Sequence, residues 1–355
     1  MDRRMTDKRV TLADVARRAG TSTAVVSYVL NDGPRPVSDA LRARVVAALN
    51  ELDYRPDRIA RALRRPRRWR QIGLLVPDLR LPLFGALVGH IEVEARRRDH
   101  LTLIGNTGYD PEREIEFVGA FADSGIDGLI VVGGVAGVAT AGLCAQARIP
   151  IVWVHNNRGP VDSPVVGADH VRAGALATDH LVVEHRRADV VFVGGFTPDD
   201  AEHGDRETVA QRYEGYATMA GPAARAIRTD LTPAGAYHAV SRHLAAGMAP
   251  GGLVVGTYGQ AAAVIRAVTD AGVRVPADIA VVGFDGDVTN TYGQLTLTTV
   301  QQPIDAIARR ALDRILRARP DPEDLVPLEV SLSRGETCGC ATRSVTLTRT
   351  AAQAG

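Results

Sequence analysis

Two groups of residues in this chain could do chemistry. The first is the run Ser22–Tyr28, where small and hydroxyl-bearing side chains stand at the start of a short amphipathic segment. Such side chains at a helix N-terminus can reach phosphates and base edges in a DNA groove. The second group consists of polar residues that directly follow apolar runs, such as Asp78, Asn106 and Asp285. Carboxylate and amide groups at the ends of buried strands suit a small, polar ligand.

Sequence motifs for catalysis are missing. No G-x-G-x-x-G or phosphate-binding loop opens a helix after a strand, and neither H-E-x-x-H nor G-x-S-x-G occurs. The pair Cys338-Gly-Cys340 is too short a motif for zinc without further ligands. Four histidines on helical stretches are predicted to be surface residues, namely His90, His180, His185 and His243. The sequence therefore predicts no enzyme, no cofactor and no metal site.

The net charge of +1 conceals an uneven distribution. Residues 1–70 contain 17 Arg or Lys and eight Asp or Glu, a formal charge of +9, whereas the remainder carries −8. A basic first part on an acidic remainder is typical of a nucleic-acid binder whose larger part stays away from the polyanion. With 355 residues, of which 45% are hydrophobic, the chain is expected to form one small unit and one or two larger ones.

Composition also predicts the compartment. No run of eighteen apolar residues occurs, and no apolar segment follows the charged N-terminus, so neither a membrane span nor a secretory signal is expected. Only three cysteines are present, and they form no disulfide framework. These features predict a cytoplasmic protein, associated with the nucleoid when it is bound to DNA.

Three short amphipathic segments follow one another near the start of the chain. Leu12–Ala19 has apolar residues at helical spacing and a capping residue in Thr11. Gly20 separates it from a second segment of the same kind, Thr23–Leu30. A third helix is expected to start at Ser38. Three short helices, the first two joined by a tight glycine turn, predict an all-α helix-turn-helix head.

From Gln71 onward, short apolar runs alternate with helical stretches such as Leu83–Arg98 and Gln260–Ala271. Runs of this kind are typical of parallel strands buried on both faces. They read QIGLLVPD, LTLIGNT, GLIVVGG, PIVWVHNN, DVVFVGG, GLVVGTY and IAVVGFD. Two sets of such units predict an α/β body like the periplasmic binding proteins, made of two doubly wound parallel-sheet subdomains with a ligand cleft between them.

The head also resembles a known family. TLADVARRAGTSTAVVSYVLN and VSDALRARVVAALNELDYRPDRIARALR are similar to the head of the LacI/GalR family of bacterial transcriptional regulators, and the similarity continues to the C-terminus. The chain keeps the family's Ala19, Gly20, Ser22, Val26, Ser27, Val29, Leu30 and Asn31. It departs at Thr21, Val25 and Tyr28, where the family more often has Val, Thr and Arg. Losing that arginine removes a bidentate guanine reader, so the operator is expected to differ there.

The resemblance implies DNA contacts in the head and in a hinge. The second helix is expected in the major groove, and the hinge, too short to be a stable helix alone, is expected to fold on DNA with Leu63 wedged into the minor groove. The arginines from Arg64 to Arg70 suit phosphate contact or form a solvated basic linker. The residues expected to contact DNA are Thr11, Ser22, Thr23, Ala24, Val25, Ser27, Tyr28, Asn31, Tyr54, Arg58, Leu63 and Arg64.

The resemblance also implies an effector cleft. Arg212, in RYEGY, matches an arginine that holds polar groups of the effector, Asp285 matches an acidic ligand, and Asp169 matches an acidic position at the subdomain crossover. Each could instead serve an internal salt bridge or cap a turn. The residues expected to contact the effector are Asp78, Leu83, Phe84, Asn106, His155, Asp169, Arg212, Thr257, Tyr258 and Asp285.

Several departures from the family affect this cleft. Thr257-Tyr258 stands where the family commonly has Asn-Asp, His155-Asn156 replaces Asp-Arg, and Leu231 lies near the place of an aromatic stacker. Aromatic surface could come instead from Trp153, Phe196, Tyr258 or Tyr292. The effector is therefore expected to be a sugar, a purine or another small metabolite, or to be absent.

These features predict a sequence-specific DNA-binding transcriptional regulator, a repressor that binds a pseudo-palindromic operator as a homodimer or higher assembly and answers to a small-molecule effector. A solute-binding sensor or transport protein would share the body, but the basic head and the missing secretory signal argue against it. An enzyme with an appended head would need a catalytic constellation that is not seen.

Four segments follow from this interpretation. We expect a DNA-binding head over residues 8–56 and a hinge over residues 57–70. The effector-binding and dimerisation body is expected over residues 71–340, with crossovers near residues 169 and 300 and in the segment before 170. Residues 341–355 are expected to be a disordered tail.

Overall fold

A computed structural model describes residues 11–31, 37–52, 70–155, 165–201, 204–285, 295–316 and 327–340, without the side chains of residues 30 and 31. The chain separates into two compact units, Met1–Arg68 and Trp69–Gly355. The predicted combination of a helical first part and an α/β body with parallel sheets is confirmed. The predicted DNA contacts at Tyr54, Arg58, Leu63 and Arg64 lie outside the described residues, as do Tyr292 and the tail.

Three helices build the described part of the first unit: α1 (Leu12–Ala19), α2 (Thr23–Asn31) and α3 (Asp39–Glu51). A capping box opens α1, in which the Thr11 hydroxyl accepts from the Asp14 N–H at 3.3 Å and the Asp14 carboxylate accepts from the Thr11 N–H at 2.9 Å. Gly20 ends α1 in the left-handed region that favours glycine. Val15, Val26 and Val45, one from each helix, are fully buried together.

The second unit contains two sheets. Strands β1 (Arg70–Val76), β2 (His100–Asn106), β3 (Gly128–Val132), β4 (Ile151–Val154) and β5 (Val165–Val166) form a parallel sheet in the order β2-β1-β3-β4-β5. Strands β6 (Val190–Gly194), β7 (Ala226–Arg228), β8 (Gly252–Val255), β9 (Ala280–Phe284), β10 (Thr298–Gln301) and β11 (Ser331–Ser333) form the other, in the order β11-β10-β9-β8-β6-β7. Among the described strands of this second sheet, only β11 is antiparallel to its neighbour.

Helices connect these strands. They are α4 (Pro82–Arg97), α5 (Pro111–Ser124), α6 (Gly137–Ala147), α7 (His170–Asp179), α8 (Arg206–Ala220), α9 (Pro233–Ala245), α10 (Tyr258–Asp270) and α11 (Ile304–Leu316). A single π-helical turn, His180–Glu184, extends α7, and 3₁₀ turns occur at Gly221–Ala223 and Glu336–Cys338. Central strands such as β3 and β9 are buried throughout, as expected for strands covered on both faces.

The chain passes three times between the two sheets. It leaves the first sheet after β5 to enter α7, returns after β10 so that α11 packs on α4, and goes back to β11. A parallel bridge between Ala168 and Leu328 joins two of these passages. The chain thus forms two subdomains, an N-terminal one around β1–β5 and a C-terminal one around β6–β11.

Backbone contact between α7 and α8 fixes the position of Arg212. A Cβ at Gly174 would overlap the carbonyl oxygen of Arg212, and one at Gly215 would overlap that of Val171. These two glycines therefore let the helices approach more closely than any larger residue would allow. Among the described residues, no helix is long and apolar enough to cross a membrane.

Candidate DNA-contact surface and effector cleft

The second helix of the head exposes small polar side chains at its start. Ser22, Thr23 and Ala24 are exposed, whereas Val26, one turn further along the helix, is fully buried. The Ser22 hydroxyl accepts from the Val25 N–H at 3.4 Å, which caps the helix. This end of α2 has the size and polarity that phosphate and base-edge contacts require.

A buried ion pair lies at the carboxyl end of the second sheet. Arg212, on α8, donates to the Asp285 carboxylate at 2.6 Å and to the carbonyl oxygen of Gly256 at 2.8 Å. The other carboxylate oxygen of Asp285 accepts from the Gln302 amide at 2.9 Å. The guanidinium also lies 4.4 Å from the ring centroid of Phe284. Gln302 stands in the passage from β10 to α11, so this pair is connected directly to a subdomain crossover.

Two residues in the left-handed conformation mark equivalent places in the two subdomains. His155 (φ 82°) directly follows β4, and Asp285 (φ 55°) directly follows β9. Non-glycine residues seldom adopt this conformation, although Asp and His do so more often than most, and such positions tend to occur at functional sites. The geometry turns both side chains into buried surroundings at the carboxyl ends of their sheets.

His155 and Asp205 form a contact between the two subdomains. Nε2 of His155 lies 3.3 Å from the carboxylate of Asp205, which stands at the start of α8. The Tyr109 hydroxyl, from the first subdomain, donates to the same carboxylate at 3.4 Å. Burial opposes protonation of His155, but the carboxylates of Asp205 and Asp285 outweigh it and raise its pKa. A protonated His155 thus favours the contact across the cleft.

The pKa of a second buried histidine, His170, is shifted in the opposite direction. His170, the first residue of α7, donates from Nε2 to the carbonyl oxygen of His155 at 3.1 Å. Burial and the nearby Arg212 guanidinium hold the pKa of His170 well below its usual value. His170 is therefore neutral where His155 tends to be charged, and its hydrogen bond helps to hold the unusual backbone at His155.

An aromatic platform lies beyond strands β6 and β7. The rings of Phe196 and Tyr213 are stacked, with centroids 4.1 Å apart. The Arg228 guanidinium lies 4.6 Å from the Phe196 centroid and donates to Asp200 at 2.8 Å. Burial opposes ionisation of Asp200, but Arg228 and the backbone N–H groups of Phe196 and Thr197 lower its pKa. The Phe196 ring is thus packed between Tyr213 and the guanidinium of a fixed charge pair.

Comparisons with known proteins bear on both parts of the chain. Residues 11–57 match the family model described as bacterial regulatory proteins, lacI family, and residues 178–338 match a periplasmic binding protein-like domain. The chain belongs to the LacI family. It is a DNA-binding transcriptional regulator with an effector-binding body.

Curated relatives of this LacI-family chain are repressors. It is 28% identical over 326 residues to the HTH-type transcriptional repressor PurR of Klebsiella pneumoniae, covering 89% of this chain and 93% of that protein. The same figures hold for PurR of Salmonella paratyphi B.

Solved structures give the same result. The lac repressor dimer bound to operator and the anti-inducer ONPF matches with a TM-score of 0.68 at 25% identity, over 93% of this chain and 99% of that one. A LacI-family regulator from Silicibacter pomeroyi matches with a TM-score of 0.69 at 25% identity, over 93% and 99% of the two chains.

Other residues predicted for the LacI-family cleft make local contacts at the starts of helices. Asp169 caps α7 by accepting from the Arg172 N–H at 2.8 Å, and the Thr257 hydroxyl accepts from the Gln260 N–H at 3.4 Å at the start of α10. Tyr258 is the half-buried first residue of α10. Asp169 and Thr257 thus have a structural role as caps, and a ligand role for them stays a prediction.

The predicted residues of the first subdomain are arranged around one loop. The Asn106 amide oxygen accepts from the Leu79 N–H at 3.0 Å, and Asp78 pairs with Arg80 at 2.9 Å. Half-buried Leu83 packs against the N-terminal core. Phe84 is buried in that core, with its ring edge-on to His155 at a centroid distance of 5.4 Å. Phe84 therefore packs against His155 and offers almost no exposed surface to an effector.

Sequence reasoning missed several residues of the cleft. Asp205, Tyr109, His170 and Gln302 make the contacts that cross or border it. Gln302, which follows a strand, could have been found by the rule that identified Asn106. The suggestion that Trp153 supplies aromatic surface is wrong, because it is fully buried in the N-terminal core.

One further expectation needs correction. His180 was expected on the surface, but its side chain is 1% exposed. The absence of a metal site stays a prediction, but it rested on a lack of further ligands beside Cys338 and Cys340. The fold supplies them: one ligand atom each from His180, His185, Cys338 and Cys340 lie within 4.8 Å of one another. The missing ligands were 153 or more residues away in sequence, so the short cysteine motif could not reveal them.

Proposed function

We propose that this chain represses transcription by binding a pseudo-palindromic operator as a dimer, and that a small polar effector in the cleft of the body controls the binding. The observation that carries the proposal is the ion pair Arg212–Asp285, which is connected through Gln302 to a crossover and faces a second polar contact between the subdomains. The relatives named above are a repressor and a repressor–operator complex.

Base reading is assigned to the start of α2. Thr23 and Ala24 are exposed there and Ser27 and Tyr28 are half-buried, while Val25 can pack on a thymine methyl. Ser22 and the helix N-terminus would hold phosphate. Thr11 uses its hydroxyl in the α1 capping box, donating to Asp14 at 2.6 Å, so it can offer DNA only its remaining lone pair. The minor-groove role of Leu63 remains part of this proposal.

The effector class follows from the groups of the cleft. Arg212 and Asp285 together offer a donor and an acceptor, and Arg212 Nε is buried without a hydrogen-bond partner among the described residues. The Arg228–Asp200 pair beside Phe196 adds a second charged pair to the same subdomain. A small polar ligand with several hydroxyl or ring-nitrogen groups fits these features.

Coupling between cleft and operator would run through subdomain closure. Contacts of Asp205 with His155 and Tyr109 favour one arrangement of the subdomains. An effector that replaces or reinforces these contacts shifts the arrangement, and by linkage it must bind the DNA-bound and free forms with different affinity. Because the family's members act in transcription, we propose that this chain works in the cytoplasm, on the nucleoid, without catalysis.

The test is a thermal-shift screen of the full chain against sugars, polyols, nucleobases and nucleosides, repeated with Arg212→Lys. Lysine keeps the charge but loses the bidentate geometry, so a true effector should stabilise the wild type and lose most of its effect on the variant. Thr218→Ala, on the exposed side of the same helix, is the matched control. A ligand that stabilises all three proteins equally would bind outside this cleft.

A further inference from the structure

Four potential ligands converge at the end of the C-terminal subdomain opposite the cleft. His180 Nε2 lies 3.2 Å from His185 Nε2 and 3.3 Å from Cys338 Sγ. Cys340 Sγ lies 3.3 Å from His185 Nε2 and 3.5 Å from His180 Nε2. A tetrahedral Zn²⁺ with ordinary bond lengths requires about 3.3 Å between nitrogens and about 3.5 Å between nitrogen and sulfur. The four separations given above are close to these values, and all four ligand atoms lie within 4.8 Å of one another.

The π-helical turn creates the histidine pair. In an α-helix, residues five apart point in different directions, but His180–Glu184 is a π turn in which the His185 N–H donates to the His180 carbonyl at 3.2 Å. This wider turn places the two rings edge to face, with centroids 4.7 Å apart. π turns inside helices are often found at functional sites, and here the turn's effect is to aim two Nε2 atoms at one point.

A tight turn creates the cysteine pair. The 3₁₀ turn Glu336–Cys338 ends at Gly339, whose φ of 98° favours glycine and reverses the chain so that Cys340 returns beside Cys338. Two groups donate to Cys338 Sγ: the Thr298 hydroxyl at 2.9 Å and the Cys340 N–H at 3.4 Å. Donors directed at sulfur stabilise a thiolate, which is the form that binds metal.

Two residues outside the set of four ligands, Glu184 and Arg334, position His180. A carboxylate oxygen of Glu184 lies 3.2 Å from His180 Nδ1, and Arg334 donates to the same carboxylate at 2.9 Å. A carboxylate beside Nδ1 favours the tautomer that carries its proton there, leaving the Nε2 lone pair for a metal. The Arg334 contact holds Glu184 in place and ties the segment before Cys338 to the end of α7.

We propose that His180, His185, Cys338 and Cys340 bind one Zn²⁺ ion in a closed tetrahedral site that fastens the C-terminal segment to α7. Two thiolates and two imidazoles form a donor set that Zn²⁺ prefers, and four protein ligands leave no open position for a substrate. The site adjoins the first residues of strands such as β10, through Thr298, whereas the effector cleft lies at the strands' carboxyl ends. Its role is therefore structural rather than effector binding.

A network of neutral thiols and imidazoles, or a Cys338–Cys340 disulfide, would give a similar cluster without metal. The two alternatives differ from the proposal in metal content and thiol reactivity. Full-length protein is stripped with a chelator under reducing conditions, loaded with Zn²⁺ or Co²⁺, separated from free metal and analysed. We expect about one Zn²⁺ per chain. The cobalt form should show the visible bands of four-coordinate Co²⁺ and thiolate-to-cobalt charge transfer in the near ultraviolet.

Single-residue variants test which side chains bind the metal. Cys340→Ser and His185→Gln alter the half-buried members, so folding should survive, and each should lower Zn²⁺ affinity by far more than tenfold. Glu184→Gln, an exposed positioning residue, should weaken Zn²⁺ binding by about 10- to 100-fold while keeping the cobalt bands. Cys144→Ala and His243→Gln are controls outside the cluster and should bind Zn²⁺ like the wild type.

Several results would overturn the proposal. Less than a tenth of an equivalent of Zn²⁺ after loading would do so, as would cobalt bands of six-coordinate type. Equal metal content in Cys340→Ser and the Cys144→Ala control would place any bound metal elsewhere. Finding Cys338 and Cys340 oxidised to a disulfide in protein purified without reductant, with no metal released on reduction, would favour the disulfide.

Discussion

The two ends of the C-terminal subdomain are both built from buried polar residues, yet they differ in how those residues are arranged. At the carboxyl ends of the strands, Arg212 and Asp285 form an ion pair that leaves Arg212 Nε without a partner among the described residues. At the opposite end, His180 and Cys338 belong to a four-membered set around one point.

This difference indicates different tasks. The cleft end contains a crossover residue and contacts between subdomains, both of which can respond to a ligand. The opposite end contains a helix terminus and a chain segment whose mutual position a metal would fix. We therefore propose that the cleft end changes on ligand binding, whereas the opposite end stays fixed.

The largest effect is expected from breaking the buried pair at the cleft. Arg212→Met leaves the Asp285 carboxylate buried without its cation and should lower the free energy of unfolding of the body by about 3–5 kcal/mol. Denaturant unfolding measures this. Adding Asp285→Asn, which tolerates the left-handed backbone, should restore part of the loss. If the double variant were as unstable as the single one, the orphaned carboxylate would not be the cause.

A smaller effect is expected from removing metal at the opposite end. When free Zn²⁺ is a hundredfold above its Kd, binding stabilises the native state by about 2.7 kcal/mol, so a chelator should lower the melting temperature. Stabilisation by the effector should persist in the metal-free protein, because no metal-binding side chain of this cluster belongs to the cleft. Loss of the effector response together with the metal would show that the two ends are not independent.

A pH effect is expected at His155. Since the pKa of His155 is raised in the folded protein, its stabilising contribution is present below its unfolded value of 6.5 and is lost as the pH rises through the folded value. The free energy of unfolding of wild type should therefore exceed that of His155→Asn by more at pH 6 than at pH 8. Asparagine is chosen because it accepts the left-handed backbone. A pH-independent difference would show that a charged contact between His155 and Asp205 does not stabilise the protein.

The smallest effect on stability, but a specific one on function, is expected in the head. Tyr28 is half-buried on α2, so Tyr28→Arg should leave the unfolding free energy nearly unchanged. It should change the preferred base at one position in each half-site, in favour of guanine. Operator selection with both proteins measures this preference. An unchanged consensus would mean that Tyr28 does not contact a base.

The sequence predicted the fold well where periodicity decides it. Leu12–Ala19 is helical over its whole predicted length, and runs such as GLIVVGG contain buried parallel strands. Arg212 and Asp285 could be named because they follow recognisable local patterns. Asp205 could not, because its role depends on a His155 that lies 50 residues earlier and in the other subdomain. The histidine–cysteine cluster was missed because a π turn and a distant 3₁₀ turn must both form before its ligands meet.

We propose that this LacI-family chain recognises a specific two-fold symmetric DNA site. The most direct measurement is selection of binding sites from random duplexes by the full chain, followed by titration of the selected site and a scrambled one at fixed salt. We predict a pseudo-palindromic consensus and an affinity for it at least about a thousandfold above that for scrambled DNA. Equal affinity for both duplexes, or a consensus without two-fold symmetry, would contradict the account.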